Sequence, residues 1–237
     1  PPRVNANGQI ALQVNLIVGT GVPATTTTND SAILSDLGQR PGLFAVVARK
    51  GEIARSSTGA PMVDGARFAT FTAPILITNN AVVFSAKLST GANGIWVWNG
   101  QTAFNIALVG DTAPTTGSTT NAKFATLGIP LCNIYGRIAF TATLTGPGVT
   151  PANNAGLWAI SEDGVTPILR LRKGDTYNFH TEQLPFRRTI TSLDIMTGSG
   201  GDDGFQRGMD VSGNMVVLVT YAKSGTDKGT AILKIAP

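Results

Sequence analysis

Three acidic residues stand at matching places in the chain, each directly after a glycine: Gly51-Glu52, Gly110-Asp111 and Gly174-Asp175. Carboxylates that recur in this way could form a ring binding a metal ion or a sugar. The competing reading is turn chemistry, because an Asp side chain accepts hydrogen bonds from backbone N–H groups close to it in sequence. Positions copied with a repeat ordinarily serve the copied fold, so turn chemistry is the expectation. Paired glycosidase carboxylates need not be neighbours in sequence, and that chemistry stays open. Asp202 and Asp203, in the run Gly200-Gly201-Asp202-Asp203-Gly204, could offer oxygen ligands to Ca²⁺, although their spacing completes no calcium loop. No other metal or cofactor is expected.

His180 is the only histidine, so a Ser-His-Asp triad would have to use it, and no Gly-x-Ser-x-Gly elbow accompanies it. The single cysteine, Cys132, excludes an intramolecular disulfide and a Cys-based zinc site and reads as a small apolar side chain. Trp96 and Trp158 follow a glycine at equivalent places, which points to packing. Trp98 has no aromatic counterpart and is the surface candidate, able to stack on a sugar or a partner. With His180, Arg187 and Arg188 it makes up the expected ligand or partner surface. The Thr-rich stretches, Thr25, Thr26, Thr27 and Thr28 and then Thr115 and Thr116, are candidate O-glycan acceptors or plain loops. None of these groupings assembles a reaction, and the expectation is a protein that is not an enzyme.

The elements that would position them come from a repeat. Lys123–Leu144, KFATLGIPLCNIYGRIAFTATL, has an earlier copy in Arg67–Leu88, RFATFTAPILITNNAVVFSAKL. Self-similarity of this kind marks a copied supersecondary unit. Period-2 alternation in Ile10, Leu12, Val14 and Leu16 predicts a half-buried strand. Asn99-Gly100 and Asp163-Gly164 predict tight hairpins. Four units emerge, beginning near residues 5, 77, 133 and 210, with Leu12, Phe84, Phe140 and Val217 at one fixed place. A Gly-led strand is expected in each: Gly42-Leu43-Phe44, Gly94-Ile95-Trp96, Gly156-Leu157-Trp158 and Gly229-Thr230-Ala231. Ile17–Pro41 reads as a long surface loop, with one or two helical turns over Ser31–Leu37. The copied stretch itself reads as the crossing from one unit's last strand to the next unit's first.

Four short antiparallel strands per repeat predict an all-β fold: a β-propeller-like array of about four antiparallel blades forming one domain over residues 1–237. The fourth unit reads as stopping after two strands, so the array is incomplete or completed by a neighbouring chain through strand addition. Composition agrees with this. The 237 residues are 42% hydrophobic, enough for a core, and only 14% charged against a usual ~25%. The net charge of +4 is scattered rather than striped, which argues against a nucleic-acid partner. No apolar run approaches the ~18–20 residues of a membrane helix. The chain opens at Pro1 rather than Met, and the expectation is a processed product or a fragment.

The residues resemble a known family, the bacterial secreted tandem-repeat proteins. Their repeat runs Asn-x-x-Gly-x-x-Ala-Phe, then a Gly-Leu/Ile-Trp strand, then a Gly-Asp-x-x-Pro closure. Asn133-Ile134-Tyr135-Gly136-Arg137-Ile138-Ala139-Phe140 matches the opening in full, and Gly110-Asp111-Thr112-Ala113-Pro114 matches the closure. Asn5, Gly8 and Ala11 match in the first unit with Leu12 in place of Phe, and Asp210 and Gly213 fit the last more loosely. In the second unit Ile77 replaces the Asn and Asn80 the Gly. The resemblance implies an extracellular, propeller-like domain held at a bacterial cell surface. The repeat, the low charge, the Thr-rich loops and the lack of catalytic motifs lead to the expectation of surface display, adhesion or assembly, and the incomplete strand count to a filament or pilus subunit completed by a neighbour. The expected partners are proteins or further copies of the chain at the cell surface, or glycans. The resemblance carries over no catalytic residues. The alternative function is a carbohydrate-binding or carbohydrate-active propeller.

Overall fold

Asn5, Asn133 and Asp210 open hairpins in the same way. The Oδ1 of Asn5 accepts the backbone N–H of Asn7 and Gln9 at 3.0 and 3.1 Å, and that of Asn133 accepts the N–H of Arg137 at 2.9 Å. Asp210 Oδ1 accepts the N–H of Ser212 and Asn214, both at 2.9 Å. A short polar side chain thus stands in for backbone and closes each turn. The glycine three residues on, Gly8, Gly136 or Gly213, holds a φ between 75° and 89°, which a side chain would strain. This is the physical content of the Asn-x-x-Gly spacing.

These turns sit in a computed structural model that describes residues 2–5, 7–40, 42–77, 81–115, 121–180, 185–195, 208–223 and 227–237. All its regular elements are strands, eighteen of them, arranged in four antiparallel sheets. Among the described residues no helix is long and apolar enough to cross a membrane.

The first sheet runs in the order β1 (Arg3–Val4), β2 (Ile10–Asn15), β3 (Ser31–Ser35), β4 (Ala45–Arg49). In the second sheet β5 (Phe68–Phe71) and β6 (Ile75–Ile77) both pair with β7 (Ala81–Leu88), followed by β8 (Asn93–Trp98) and β9 (Ala103–Leu108). The third repeats this: β10 (Lys123–Leu127) and β11 (Leu131–Cys132) pair with β12 (Ile138–Thr145), then come β13 (Ala155–Ile160) and β14 (Pro167–Arg172). The fourth is β15 (Thr176–His180), β16 (Pro185–Ile195), β17 (Met215–Ala222) and β18 (Lys228–Ile235).

Register fixes which residues are equivalent. Leu12 faces Leu34, Phe84 faces Trp96, Phe140 faces Trp158 and Val217 faces Leu233. The expected fixed positions are therefore correct, but several strand assignments are not. The counterpart of Gly94-Ile95-Trp96 is Ala32-Ile33-Leu34, not Gly42-Leu43-Phe44, and Ser31–Ser35 is strand rather than helical turn. Ala32 and Leu34 pair with Val14 and Leu12 across the sheet, while Ile33 turns to the buried face. In the fourth sheet the counterpart is Ala231-Ile232-Leu233, not Gly229-Thr230-Ala231. Lys123–Leu144 is not a crossing between units, because β10 and β12 pair side by side from Lys123↔Thr145 to Leu127↔Ala142. The phase of the repeat is thus shifted, and residues 189–195 belong to the fourth sheet, in β16, rather than closing the third. That sheet has four strands, not two. Both expected hairpins are present: Asn99 Oδ1 accepts the N–H of Gln101 and Thr102, and Asp163 Oδ1 those of Val165 and Thr166.

The chain divides into two compact units, residues 1–109 with 134–136, and residues 110–133 with 137–237. In the first unit a core joins Ala11, Ile33 and Val47 of the first sheet to Phe68, Phe84, Trp96 and Trp98 of the second. In the second unit Leu131, Ala139, Leu157 and Leu171 of the third sheet meet Ile190, Val217, Val219 and Leu233 of the fourth. The second and third sheets carry the same aromatic trio. The Phe68–Trp96 and Phe124–Trp158 rings meet edge-on at 5.2 Å, and the Phe84–Trp96 and Phe140–Trp158 rings stack at 6.1 and 6.2 Å. Such pairs contribute beyond their buried area.

Candidate interaction surface

The Gly-acid pairs are main-chain clasps. Gly51 N–H donates to Phe68 O at 2.8 Å while Phe68 N–H donates to Glu52 O at 3.0 Å. Gly110 and Asp111 hold Phe124 in the same way, and Gly174 and Asp175 hold Ile190, all within 2.8–3.0 Å. The first clasp ties the end of β4 to β5, and the third ties the end of β14 to β16. Three residues beyond Glu52 and Asp111, Arg55 O and Pro114 O accept the indole N–H of Trp96 and Trp158, at 3.3 and 2.9 Å. A buried Trp needs such a partner. After Gly174-Asp175 the same segment lengthens into β15, where Phe179 packs on Tyr177 and Tyr221.

The carboxylates themselves do little in these clasps. Glu52 accepts the N–H of Arg49 at 3.1 Å. Desolvation raises the pKa of Asp111 and Asp175, opposed by Lys123 and Arg172 respectively. Among the described residues no three of His, Cys, Asp and Glu gather to hold a metal ion. Asp202 and Asp203 lie outside the described residues.

Trp98 is not a surface residue: it is 2% exposed and lies in the first unit's core, opposite Val82. Its lack of an aromatic counterpart reflects a local filling of that core. Arg187 is exposed on β16, and Arg188 beside it pairs with Asp227 at 2.7 Å. His180 ends β15, with its backbone opposite Pro185. Burial pushes the Cys132 thiol up, away from the reactive thiolate.

The first Thr tract is built, not loose. Thr25 is buried and its hydroxyl accepts from Arg49 at 3.3 Å, which removes it as a glycan acceptor. Thr26, Thr27 and Thr28 are exposed. Thr26 N–H donates to Asn29 Oδ1, as Thr150 N–H does to Asn153 Oδ1, at 2.8 and 2.7 Å. Arg49 and Arg172, equivalent on β4 and β14, each donate Nε to the carbonyl of that Asn, at 2.9 and 2.8 Å. The signal was in the sequence as a paired Thr-x-x-Asn. Thr115 is half-buried, and Thr116 lies outside the described residues.

What remains is apolar surface. Each sheet has one face carrying small or aliphatic residues (Ala11 and Ile33; Ala139 and Leu157; Val216 and Ile232) and one carrying the large repeat positions (Leu12 and Leu34; Phe140 and Trp158; Val217 and Leu233). In the first unit the aliphatic face of the first sheet packs on the large-residue face of the second. In the second unit the aliphatic face of the third packs on the large-residue face of the fourth. The first sheet's large-residue face is uncovered: Val4 and Val46 are each 52% exposed, and Ile10, Leu12, Val14 and Leu34 are half-buried. The fourth sheet's aliphatic face is uncovered too, with Ile232 64% exposed. The same face also carries exposed polar residues: Asp194 stands opposite Leu218, and Thr230 and Lys234 flank Ile232 along β18. Unlike β8 and β13, β18 has no further strand on its outer side among the described residues.

Residues 41–236 match the model of a family of unknown function (DUF7453). No curated protein matches the chain.

Proposed function

The chain belongs to this family of unknown function, and we propose that it is a non-enzymatic, β-propeller-like module at a bacterial cell surface, serving display, adhesion or assembly. Each sheet is one blade of the array in this reading. One observation carries it: the repeated polar residues are engaged in turns and clasps, while apolar sheet faces at two ends of the repeat stay open. A filament or pilus subunit fits that pattern, since such subunits present surfaces made to be covered. No cofactor takes part. A carbohydrate-binding propeller draws less support, because Trp98, its stacking platform, is buried.

Antibody raised to the chain tests the reading on intact cells of the native source. Label on unpermeabilised cells, lost after protease shaving, is the expected result. Label seen only after permeabilisation would overturn it.

A further inference from the structure

We propose that copies of this chain associate head to tail, the aliphatic face of the fourth sheet of one copy stacking on the large-residue face of the first sheet of the next. This names the partner within the assembly reading above and rests on it.

The repeat itself supplies the rule. Aliphatic face on large-residue face is the pairing made in both units, by the first sheet on the second and by the third on the fourth. The two uncovered faces are of opposite type, so they satisfy that rule with each other. Leu157 and Ile232 occupy equivalent places, fixed by the registers Thr141↔Leu157 and Leu218↔Ile232. Leu157 is fully buried under the neighbouring sheet, whereas Ile232 is 64% exposed. On the other side, Leu12 and Leu34 hold the places that Phe84 and Trp96 fill in the second sheet's core, yet Val46, paired with Leu34, is 52% exposed. Because the two surfaces differ, the contact is heterologous and does not stop at a dimer unless the rotation closes a ring.

The contact is small. Four strands about 4.8 Å apart and six residues at about 3.4 Å outline roughly 400 Å² per face. That is about half the usual ~800 Å² per partner, so association is reversible and concentration-dependent. Two charged residues share this face: Asp194, opposite Leu218, keeps its carboxylate in water, which further limits the strength of the contact, and Lys234, where Ala159 stands in the third sheet, can lay its long stem along the partner with its ammonium solvated.

Sedimentation velocity over a hundredfold concentration range tests this with the whole chain, Ile232→Glu and Val46→Glu. Both substitutions fall on exposed side chains, and circular dichroism with a melting curve checks that each variant folds. The wild-type chain should form species larger than a dimer or a closed ring as concentration rises. Each variant alone should weaken association at least tenfold. An equimolar mixture of the two should form a dimer and nothing larger, because each variant keeps the face the other has lost. A wild-type monomer throughout overturns the proposal, as does an oligomer indifferent to both changes or a mixture that stays monomeric. A monomer displayed on cells would leave the surface reading standing while this inference fails.

Discussion

The third and fourth sheets are built on one plan and end differently. In both, the strand after the Asx-turn pairs with an aliphatic hairpin partner, and in both the large-residue face is buried. The third sheet then continues into β14 and hides Leu157 and Ala159, at 0% and 2% exposure. The fourth ends at β18 and presents Ile232 and Lys234 at the same two places. The lesson is that burial of a repeat position depends on what covers the sheet, not on the residue's own hydrophobicity. The Phe-Phe-Trp trio appears in the second and third sheets. Leu12 with Leu34, and Val217 with Leu233, replace its Phe and Trp in the first and fourth.

The sharpest way to break this comparison is truncation at equivalent positions. Trp158→Ala should lower unfolding free energy by about 3–5 kcal/mol, because a fully buried ring, its two aromatic contacts and its bond to Pro114 O all go. Leu233→Ala, at the matching place in the fourth sheet, should lower it by about 2–3 kcal/mol. Ile232→Ala, measured at a concentration where the chain is monomeric, should change it by less than about 0.5 kcal/mol. Urea unfolding of the three variants reads this out. A large loss for Ile232→Ala in the monomer would mean that its face is already covered.

A smaller effect separates glycines by role. A Cβ on Gly156 would sit 2.8 Å from the Trp158 ring, and one on Gly174 would have both φ +90° and Ala152 O at 3.0 Å. Gly110 has φ +98° but open space around it. Gly156→Ala and Gly174→Ala should each cost about 1–3 kcal/mol, and Gly110→Ala about 1 kcal/mol from its backbone alone. Equal losses at Gly174 and Gly110 would contradict the close packing seen at the first.

Asn133 compares turn closure with coupling between turns. Its Oδ1 closes its own hairpin, while its Nδ2 donates to Asp210 O and Val211 O at 2.9 and 3.0 Å. Asn133→Asp keeps the acceptor and loses both donors, and should cost about 1 kcal/mol; Asn133→Ala loses all three bonds and should cost about 2 kcal/mol. The same urea assay separates them.

The smallest effects are acid-dependent and opposite in sign. Hydrogen bonds from Ser161 and Thr166 hold the Asp163 carboxyl below its ordinary 3.8. Its contribution to stability is therefore full above that value and is lost as pH falls towards the folded pKa. Asp175 is held above 3.8 by desolvation, so its ionised form opposes folding, and that opposition is relieved as pH falls through its folded pKa. Asp163→Asn should flatten the fall in stability below about pH 4, and Asp175→Asn should leave stability at neutral pH unchanged or higher. Melting temperature against pH gives both signs in one series.

Much of the architecture was legible in the sequence. The Asn-x-x-Gly turns, the two hairpins and the fixed apolar position each follow from local chemistry, and all appear as expected. What misled was phase. A repeat has no marked beginning, and a proline after a strand, as at Pro74 and Pro130, looks like an end when it is a break within one sheet edge. Gly42 attracted the first Gly-led strand because a glycine is conspicuous, while Ala32 fills the same place without one. Trp98 looked exposed for want of a counterpart, although a missing partner in other units says nothing about burial in its own. The open faces left little trace in the sequence, since Ile232 and Leu157 are equally apolar and differ in their neighbours. Lys234, at a place the third sheet gives to Ala159, was the one residue that told of it.

Hydroxyl-radical footprinting of the wild-type chain at low and high concentration tests head-to-tail stacking, because it reads side-chain exposure on both open faces at once. Ile232 and Leu218 in the fourth sheet should lose reactivity together with Val46 and Val4 in the first, while the exposed Val63 and Ile129 stay unchanged. Protection of only one of the two faces, or of neither, would contradict the account.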